Sequence, residues 1–405
     1  MNAICIVVDR LHAGYVGAYG NTWIDTPALD RLVAEGFVFD QCLIDSPDLE
    51  GLYRSYWQGW HPLAAEPPGN DRPSLPEQLA EAGVESTLLT DEPLVAWNGS
   101  ARGFHSVIPI EPPNDAMMAE EIDETHLAGC FARTVDWLES AQRPFLLWCH
   151  LRGLGGPWDA PMEFRTRYAE PEDPDPPLSA EVPCRMLEEN YDPDQLLGIL
   201  QAYAGQVSLL DVCVGALLEF VQAGPLADDT LVVLLSARGF PLGEHRRVGD
   251  YDEALYGELV QVPLVLRFPN GLGASARSPA LVRPADVGAT LLDWWGLGDP
   301  LDLPDAGSLM PLVHEQVESI RDRLCLVEGA SGRAIRTPAW YLRDADRPEL
   351  FAKPDDRWEV NNVSDRCQDV VEGLRKALAE YAESLRSGRL DEVPPLNEIL
   401  MTGLG

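Results

Sequence analysis

Basic residues are scarce in this chain: 30 lysines and arginines stand against 66 aspartates and glutamates, a formal net charge of −36 over 405 residues. So acidic a surface opposes non-specific attraction to nucleic acid or anionic lipid and favours solubility, and neither is an expected partner. Long apolar runs are lacking too. None approaches the roughly 20 residues of a membrane span, and the opening "MNAICIVVDR" shows a strand pattern where a secretory leader would place a basic and then an apolar region. The expectation is a cytoplasmic protein that crosses no membrane. Organised cysteine is the third absence. Positions 5, 42, 130, 149, 184, 213, 325 and 367 form no CxxC pair and no partnered histidine spacing. They read as reduced, mostly buried thiols, and a zinc site could be built from them only by residues brought together from distant parts of the chain.

What is present is the balance of an ordinary globular protein, 45% hydrophobic and 24% charged. A chain of this length exceeds what one core usually supports, which implies one large unit and a smaller one. Apolar runs ending in polar or glycine turns recur: "AICIVV" (3–8), "STLLT" (86–90), "SVIPI" (106–110), "PFLLWCH" (144–150), "TLVVLLS" (230–236) and "VPLVLRF" (262–268). They have the pattern of strands buried on both faces. Helices alternate with them. Thr26 caps and Pro27 opens "TPALDRLVAEG", with Leu29, Leu32 and Val33 as its apolar stripe and Gly36 as its stop. Residues 192–224 give the longest helical pattern, with Gly205 as a candidate bend, and 283–296 another. The predicted fold is α/β, a mostly parallel central sheet with helices on both faces, over 1–310. Shorter strands and a helix from Ser364 to about Gly388 predict a small α+β subdomain over 311–405. The acidic, proline-rich interval 169–183 reads as an extended surface loop.

In an open α/β sheet, ligands bind beyond the carboxyl ends of the strands. The residues in that position are Asp9 and Arg10, Ser46 to Ser55, His150 to Trp158, and Ser236 to His245.

Taken together, these segments resemble the sulfatases of the alkaline-phosphatase superfamily. "NAICIVVDRLHAGYVGAYGNTWIDTPALDRLVAEGFVFDQCLIDSP" is similar to that family's opening strand, metal-binding Asp-Asp pair and TP-x-LD-x-L helix. "SLLDVCVGALLEFVQAGPLADDTLVVLLSARGFPLGEH" is similar to the segment of its second metal pair. "VQVPLVLRFP", "ADVGATLLDWWG", "GSLMPL", "RAIRTPAWYLR" and "PELFAKPDDRWEVNNV" follow in the family's order. The resemblance implies a sulfate-ester hydrolase using a formylglycine made from Cys or Ser in a C/S-x-P-x-R motif, on a divalent cation, commonly calcium. A hard cation of that kind needs oxygen ligands, mainly carboxylates.

The family's chemical groups are largely replaced. The nucleophile position reads Leu49, the motif proline Gly51 and its arginine Tyr53, with Arg54 one place out of register. The Asp-Asp pair reads Asp9-Arg10, the later Asp-His or Asp-Asn pair Ala237-Arg238, a family histidine Gly155 and a family lysine Asp250, while His245 in "GEH" is retained. Asp9 is the one family metal ligand left, and no cofactor is predicted: calcium, which the resemblance implies, is expected to be lost. Arg10 or Arg238 is expected to take the vacated cation position and pair with Asp9, because an unpaired buried carboxylate would cost several kcal/mol.

The candidate cleft is therefore Asp9, Arg10, Arg54, His150, Arg238 and His245. Each has a bland counterpart: Asp9 as a turn cap or arginine partner, His150 and His245 as structural histidines, the arginines as one internal salt bridge. Trp57, Trp60, Trp97 and Trp158 suit either a sugar-binding face or the core. The favoured reading is a catalytically inactive homologue that binds an anionic small molecule or an active paralogue. The alternatives are an ester hydrolase rebuilt around Asp9, His150, His245 and the arginines, and a structural or assembly protein.

Overall fold

In a computed structural model, the structure describes residues 1–64, 73–115, 117–298, 306–329 and 332–403. The strands formed among the described residues are β1 (Asn2–Val8), β2 (Phe37–Leu43), β3 (Glu85–Thr90), β4 (Ser106–Pro109), β5 (Phe145–Leu151), β6 (Cys184–Met186), β7 (Thr230–Leu235), β8 (Arg247–Gly249), β9 (Gln261–Arg267), β10 (Ala276–Val282), β11 (Leu324–Glu328), β12 (Gly332–Arg336), β13 (Trp340–Asp344) and β14 (Glu349–Ala352). The main sheet runs β10-β2-β9-β7-β1-β5-β3-β4, and within it only β9 is antiparallel to its neighbours.

β1, β5 and β7 are buried at every residue. On β1, Ala3, Cys5 and Val7 enter one apolar cluster, while Ile4, Ile6 and Val8 enter the other, across the sheet. Helices cover both faces, so continuous apolar runs are the stable choice for the central strands. β4 departs from that expectation: at the sheet edge its residues alternate between half-buried and exposed. β10, the opposite edge, has no apolar run to announce it, because "ARSPALV" carries an arginine and a proline, which edge strands tolerate.

Helices that matter below are α1 (Pro27–Glu35), α2 (Leu49–Gln58), α3 (His126–Ser140), α4 (Pro193–Ala223), α5 (Pro284–Trp294) and α6 (Gln368–Ser387). The expected Thr26 cap of α1 is corrected. The Thr26 side chain makes no capping bond; Asp211 of α4 instead accepts from the Ala28 and Leu29 backbone N–H groups at 3.1 and 2.8 Å. The cap is tertiary, supplied 183 residues away. α4 continues unbroken through Gly205, where a Cβ would come within 2.8 Å of the backbone at 164–165. This helix also corrects the reading that no segment approaches a membrane span: its 31 residues are long and apolar enough, with a mean hydropathy of 1.6 over the relevant window, but most of that window is buried inside the fold.

β11 to β14 form an antiparallel meander. One of its faces, with Leu326, Ala334, Tyr341 and Phe351, shares the large unit's apolar cluster, and the other, with Ile335, Trp340, Leu342 and Leu350, packs against α6. The loop at 169–183 has no regular structure, yet it is tied down: the buried Arg165 guanidinium donates to the carbonyls of Pro177 and Ser179.

Candidate functional site

The central strands β7, β1 and β5 lie side by side, so their carboxyl ends bring Arg238, Asp9 and His150 to one edge. Asp9 continues β1 by donating its N–H to Leu151 O at 2.8 Å. The chain then turns sharply, and Arg10 adopts φ of 65°, a left-handed conformation that costs a non-glycine residue about 1–2 kcal/mol. Tyr203 offsets part of this by clamping the turn, with its hydroxyl donating to Arg10 O at 2.7 Å and accepting from His12 N–H at 2.9 Å.

The turn sends the two arginines to different partners. Arg238 grips Asp9 with two bonds, Nη2 to Oδ2 at 2.5 Å and Nε to Oδ1 at 3.2 Å. Its Nη1 reaches Asp252 Oδ2 at 2.9 Å. The fully buried Arg10 points instead to Asp250 and to Asp252 Oδ1, the latter at 2.6 Å. Two guanidiniums thus interlock with three carboxylates, for a net charge of −1. Burial alone would raise the Asp9 pKa, but Arg238 and then Arg10 outweigh it and hold the carboxyl at about 2. For Arg238 burial is likewise the largest effect and pulls its pKa down, yet Asp9 drives it above its ordinary value.

This arrangement does not fit the family's calcium. Calcium takes six to eight oxygens, whereas both oxygens of the deeply buried Asp9 are taken by Arg238, and the half-exposed Asp250 and Asp252 face guanidinium groups. Gly155, at a family histidine position, follows the same logic: a Cβ there would sit 3.2 Å from Arg10 Cγ.

The segment expected to carry the nucleophile is the helix α2, capped by Asp48, whose carboxylate accepts from Gly51 N–H at 2.7 Å. Leu49 is buried in the main apolar cluster. Tyr53, expected at the motif-arginine position, places its hydroxyl 2.5 Å from His150 Nδ1 and accepts from Trp148 Nε1 at 3.4 Å. Arg54 lies over the Trp60 ring, 4.2 Å from its centroid. The Ser55 hydroxyl donates to Asp45, and Ser46 accepts from Asp48 N–H. His150 is fully buried, which lowers its pKa to about 4 against the opposing pull of Asp9 and Asp91. Its Nε2 has no hydrogen-bond partner among the described residues.

His245 is engaged elsewhere. Its Nδ1 pairs with Glu258 at 2.8 Å, its Nε2 with Glu359 O at 3.0 Å, and its ring stacks on Tyr256 at 3.5 Å. Burial lowers its pKa, but Glu258 and Glu359 raise it by more. The tryptophans share no face: Trp57 and Trp158 are core, while Trp97 is 83% exposed.

Three features escaped the sequence reading. Asp250 read as a lost lysine and Asp252 was not singled out; only the loop after β8 brings both to the arginines. The absence of a partnered histidine is also corrected, since His126 and Cys130, four residues apart on α3, meet Asp91 at the end of β3. That His-x3-Cys spacing was the available signal.

A mostly parallel sheet sandwiched by helices, with charged groups gathered at the carboxyl ends of β1, β5 and β7, defines an open α/β protein with its candidate site at the edge of the central strands. The structure of the phosphonate monoester hydrolase of Agrobacterium radiobacter superposes with a TM-score of 0.77 at 17% identity, over 96% of each chain. That of a 2-O GAG sulfatase does so with 0.75 at 20%, over 95% of this chain and 92% of the other. The sulfatase family model matches residues 1–297, and the chain belongs to the sulfatase family. An N-acetylglucosamine-6-O-sulfatase of Bacteroides thetaiotaomicron is 32% identical over 218 residues, 50% of this chain and 38% of that protein. A sulfatase of Formosa agariphila is 28% identical over 44% of this chain and 36% of its own length, so the match spans just over a third of these two relatives. The uncharacterized sulfatase YidJ of Escherichia coli aligns over 95% of this chain and 88% of its own at 21% identity.

Proposed function

We propose that this chain is a sulfatase-family protein that does not hydrolyse sulfate esters and works as a scaffold without calcium. The observation that carries the reading is the two-bonded Arg238 to Asp9 pair, in which a guanidinium supplies the positive charge that a cation gives the family. Leu49 supports it, because a buried alkyl side chain cannot become an aldehyde nucleophile. Candidate partners are an anionic small molecule or an active paralogue. An anion entering the cleft must displace Asp250 and Asp252 from the arginines, which sets a high threshold for binding there.

A second reading rests on His150. Its Nε2, unpartnered among the described residues on a ring neutral at pH 7, can accept a proton in the tautomer whose Nδ1–H donates to Tyr53, as a rebuilt esterase would need. The relatives' names, which include an N-acetylglucosamine-6-O-sulfatase, make a sulfated sugar the first substrate class to try.

The test is incubation of the purified chain with aryl sulfates, aryl phosphates and 6-O-sulfated N-acetylglucosamine, with and without calcium, alongside metal analysis. No turnover and no stoichiometric calcium are expected. Turnover lost in both Asp9→Ala and His150→Ala would replace the first reading by the second, and one bound calcium per chain would remove its electrostatic basis.

A further inference from the structure

Asp91 directly follows β3, which pairs with β5 so that Thr90 lies opposite His150. His126 and Cys130 occupy adjacent turns of α3 on one face, because residues four apart in a helix are neighbours. Their ligand atoms converge: Asp91 Oδ2 lies 2.9 Å from His126 Nε2, Cys130 Sγ lies 3.6 Å from that nitrogen, and the same sulfur lies 4.0 Å from Asp91 Oδ2.

We propose that Asp91, His126 and Cys130 form a binding site for one zinc-like divalent cation, separate from the Asp9 cluster. Zinc sits at about 2.0–2.1 Å from nitrogen and oxygen and about 2.3 Å from sulfur, so tetrahedral angles require separations of about 3.4 Å (N to O), 3.6 Å (N to S) and 3.6 Å (O to S). The observed 2.9, 3.6 and 4.0 Å differ by no more than about half an ångström, within the reach of side-chain torsions. One carboxylate, one imidazole and one thiol is a borderline-soft set that suits zinc over calcium or magnesium.

The surroundings orient these ligands. Asp91 Oδ1 accepts from Arg152 N–H at 2.7 Å, leaving Oδ2 for the ion. Asp159 Oδ2 accepts from His126 N–H at 2.6 Å and so fixes the first turn of α3 that carries this ligand. Asp91 is 2% exposed, Cys130 1% and Asp159 4%, so an ion here would be shielded from competing solvent. Binding replaces the Asp91 to His126 hydrogen bond: the proton that bond holds on Nε2 moves to Nδ1 of the neutral ring, or leaves to solvent from the imidazolium, and Cys130 releases its thiol proton to solvent as the metal–sulfur bond forms. Affinity should therefore rise with pH.

The inference does not depend on the Asp9 cluster being inactive, and its readout is not activity. Chelator-stripped full-length protein is titrated with Co2+, then with Zn2+. About one equivalent of Co2+ should bind with a thiolate-to-cobalt absorption band that Zn2+ abolishes, and Zn2+ should raise the thermal midpoint. Cys130→Ser should lose the band, and His126→Ala should weaken binding at least ten-fold. X-ray absorption of the zinc-loaded wild type, which needs no variant to fold, should show one sulfur and two or three nitrogen or oxygen neighbours. A zinc shell without sulfur, or a cobalt–thiolate band that survives in Cys130→Ser, overturns the proposal and leaves the triad as a hydrogen-bonded brace between α3 and the sheet.

Discussion

Arg238→Ala is the most direct probe of the electrostatics at the centre of this protein. The substitution removes both guanidinium bonds from Asp9, leaving the carboxylate, 2% exposed, with the Arg10 backbone N–H at 3.0 Å as its remaining bond. Removing one partner of a buried ion pair typically costs about 3–5 kcal/mol. Pairing puts the Asp9 pKa below its ordinary 3.8, at about 2, so in the wild type its contribution is present above the ordinary value and lost as pH falls through the folded one. In the variant, burial dominates and the folded pKa moves above the ordinary value. The deficit should then be largest at neutral pH and shrink in acid, where Asp9 is protonated. Adding Asp9→Asn should recover about half of the loss, because a neutral amide has less desolvation to repay. Urea midpoints of the wild type, both single variants and the double variant at pH 7 and pH 5 provide the cycle. A loss under about 1 kcal/mol for Arg238→Ala, or no coupling between the two sites, would refute the ion pair as a structural element.

Acid should destabilise the wild type through His150. Its pKa is lowered by burial from 6.5 to about 4, so the unfolded chain binds the proton first and stability falls as pH drops through that window. Asp9 and Asp91 on one side, Arg238 and Arg152 on the other, face this ring. About 2 kcal/mol should be lost from this group between pH 7 and pH 5, and His150→Phe should flatten that slope in urea titrations. His245, whose pKa is raised, works in the opposite sense, its contribution being present below 6.5 and fading as pH rises through its folded value. Gly249→Ala should disrupt the Asp250 loop: φ is 105° there and an added Cβ would lie 1.6 Å from Pro183 O, so limited proteolysis should cut near 250 faster than in the wild type. Leu49→Ala should cost about 2–5 kcal/mol by chemical denaturation, the loss of a packed core side chain, where a solvent-facing nucleophile position would cost little.

Much of the architecture was legible in the residues themselves. β1, β5 and β7 are continuous apolar runs because helices cover both of their faces, and a pattern of burial on both sides is written into composition. The edges were not: β10 needs no apolar run, and the side chains of β4 alternate between half-buried and exposed. The α1 cap was misassigned for a related reason. A local rule chose Thr26, but the carboxylate of Asp211 outcompetes a hydroxyl once α4 packs alongside.

At the cleft, the order of motifs was enough to point to Asp9, Arg10 and Arg238, which the structure joins in one ion-pair cluster. Residue type and spacing survive without coordinates. Which arginine takes Asp9, and which turns to Asp250 and Asp252, depended on the left-handed turn at Arg10 and on a loop more than 200 residues downstream. The meeting of His126 and Cys130 with Asp91 likewise waited for α3 to dock against β5, whose neighbour β3 leads into Asp91. Charge pairing and metal coordination act over a few ångströms, and only the folded chain sets distances on that scale between residues far apart in sequence.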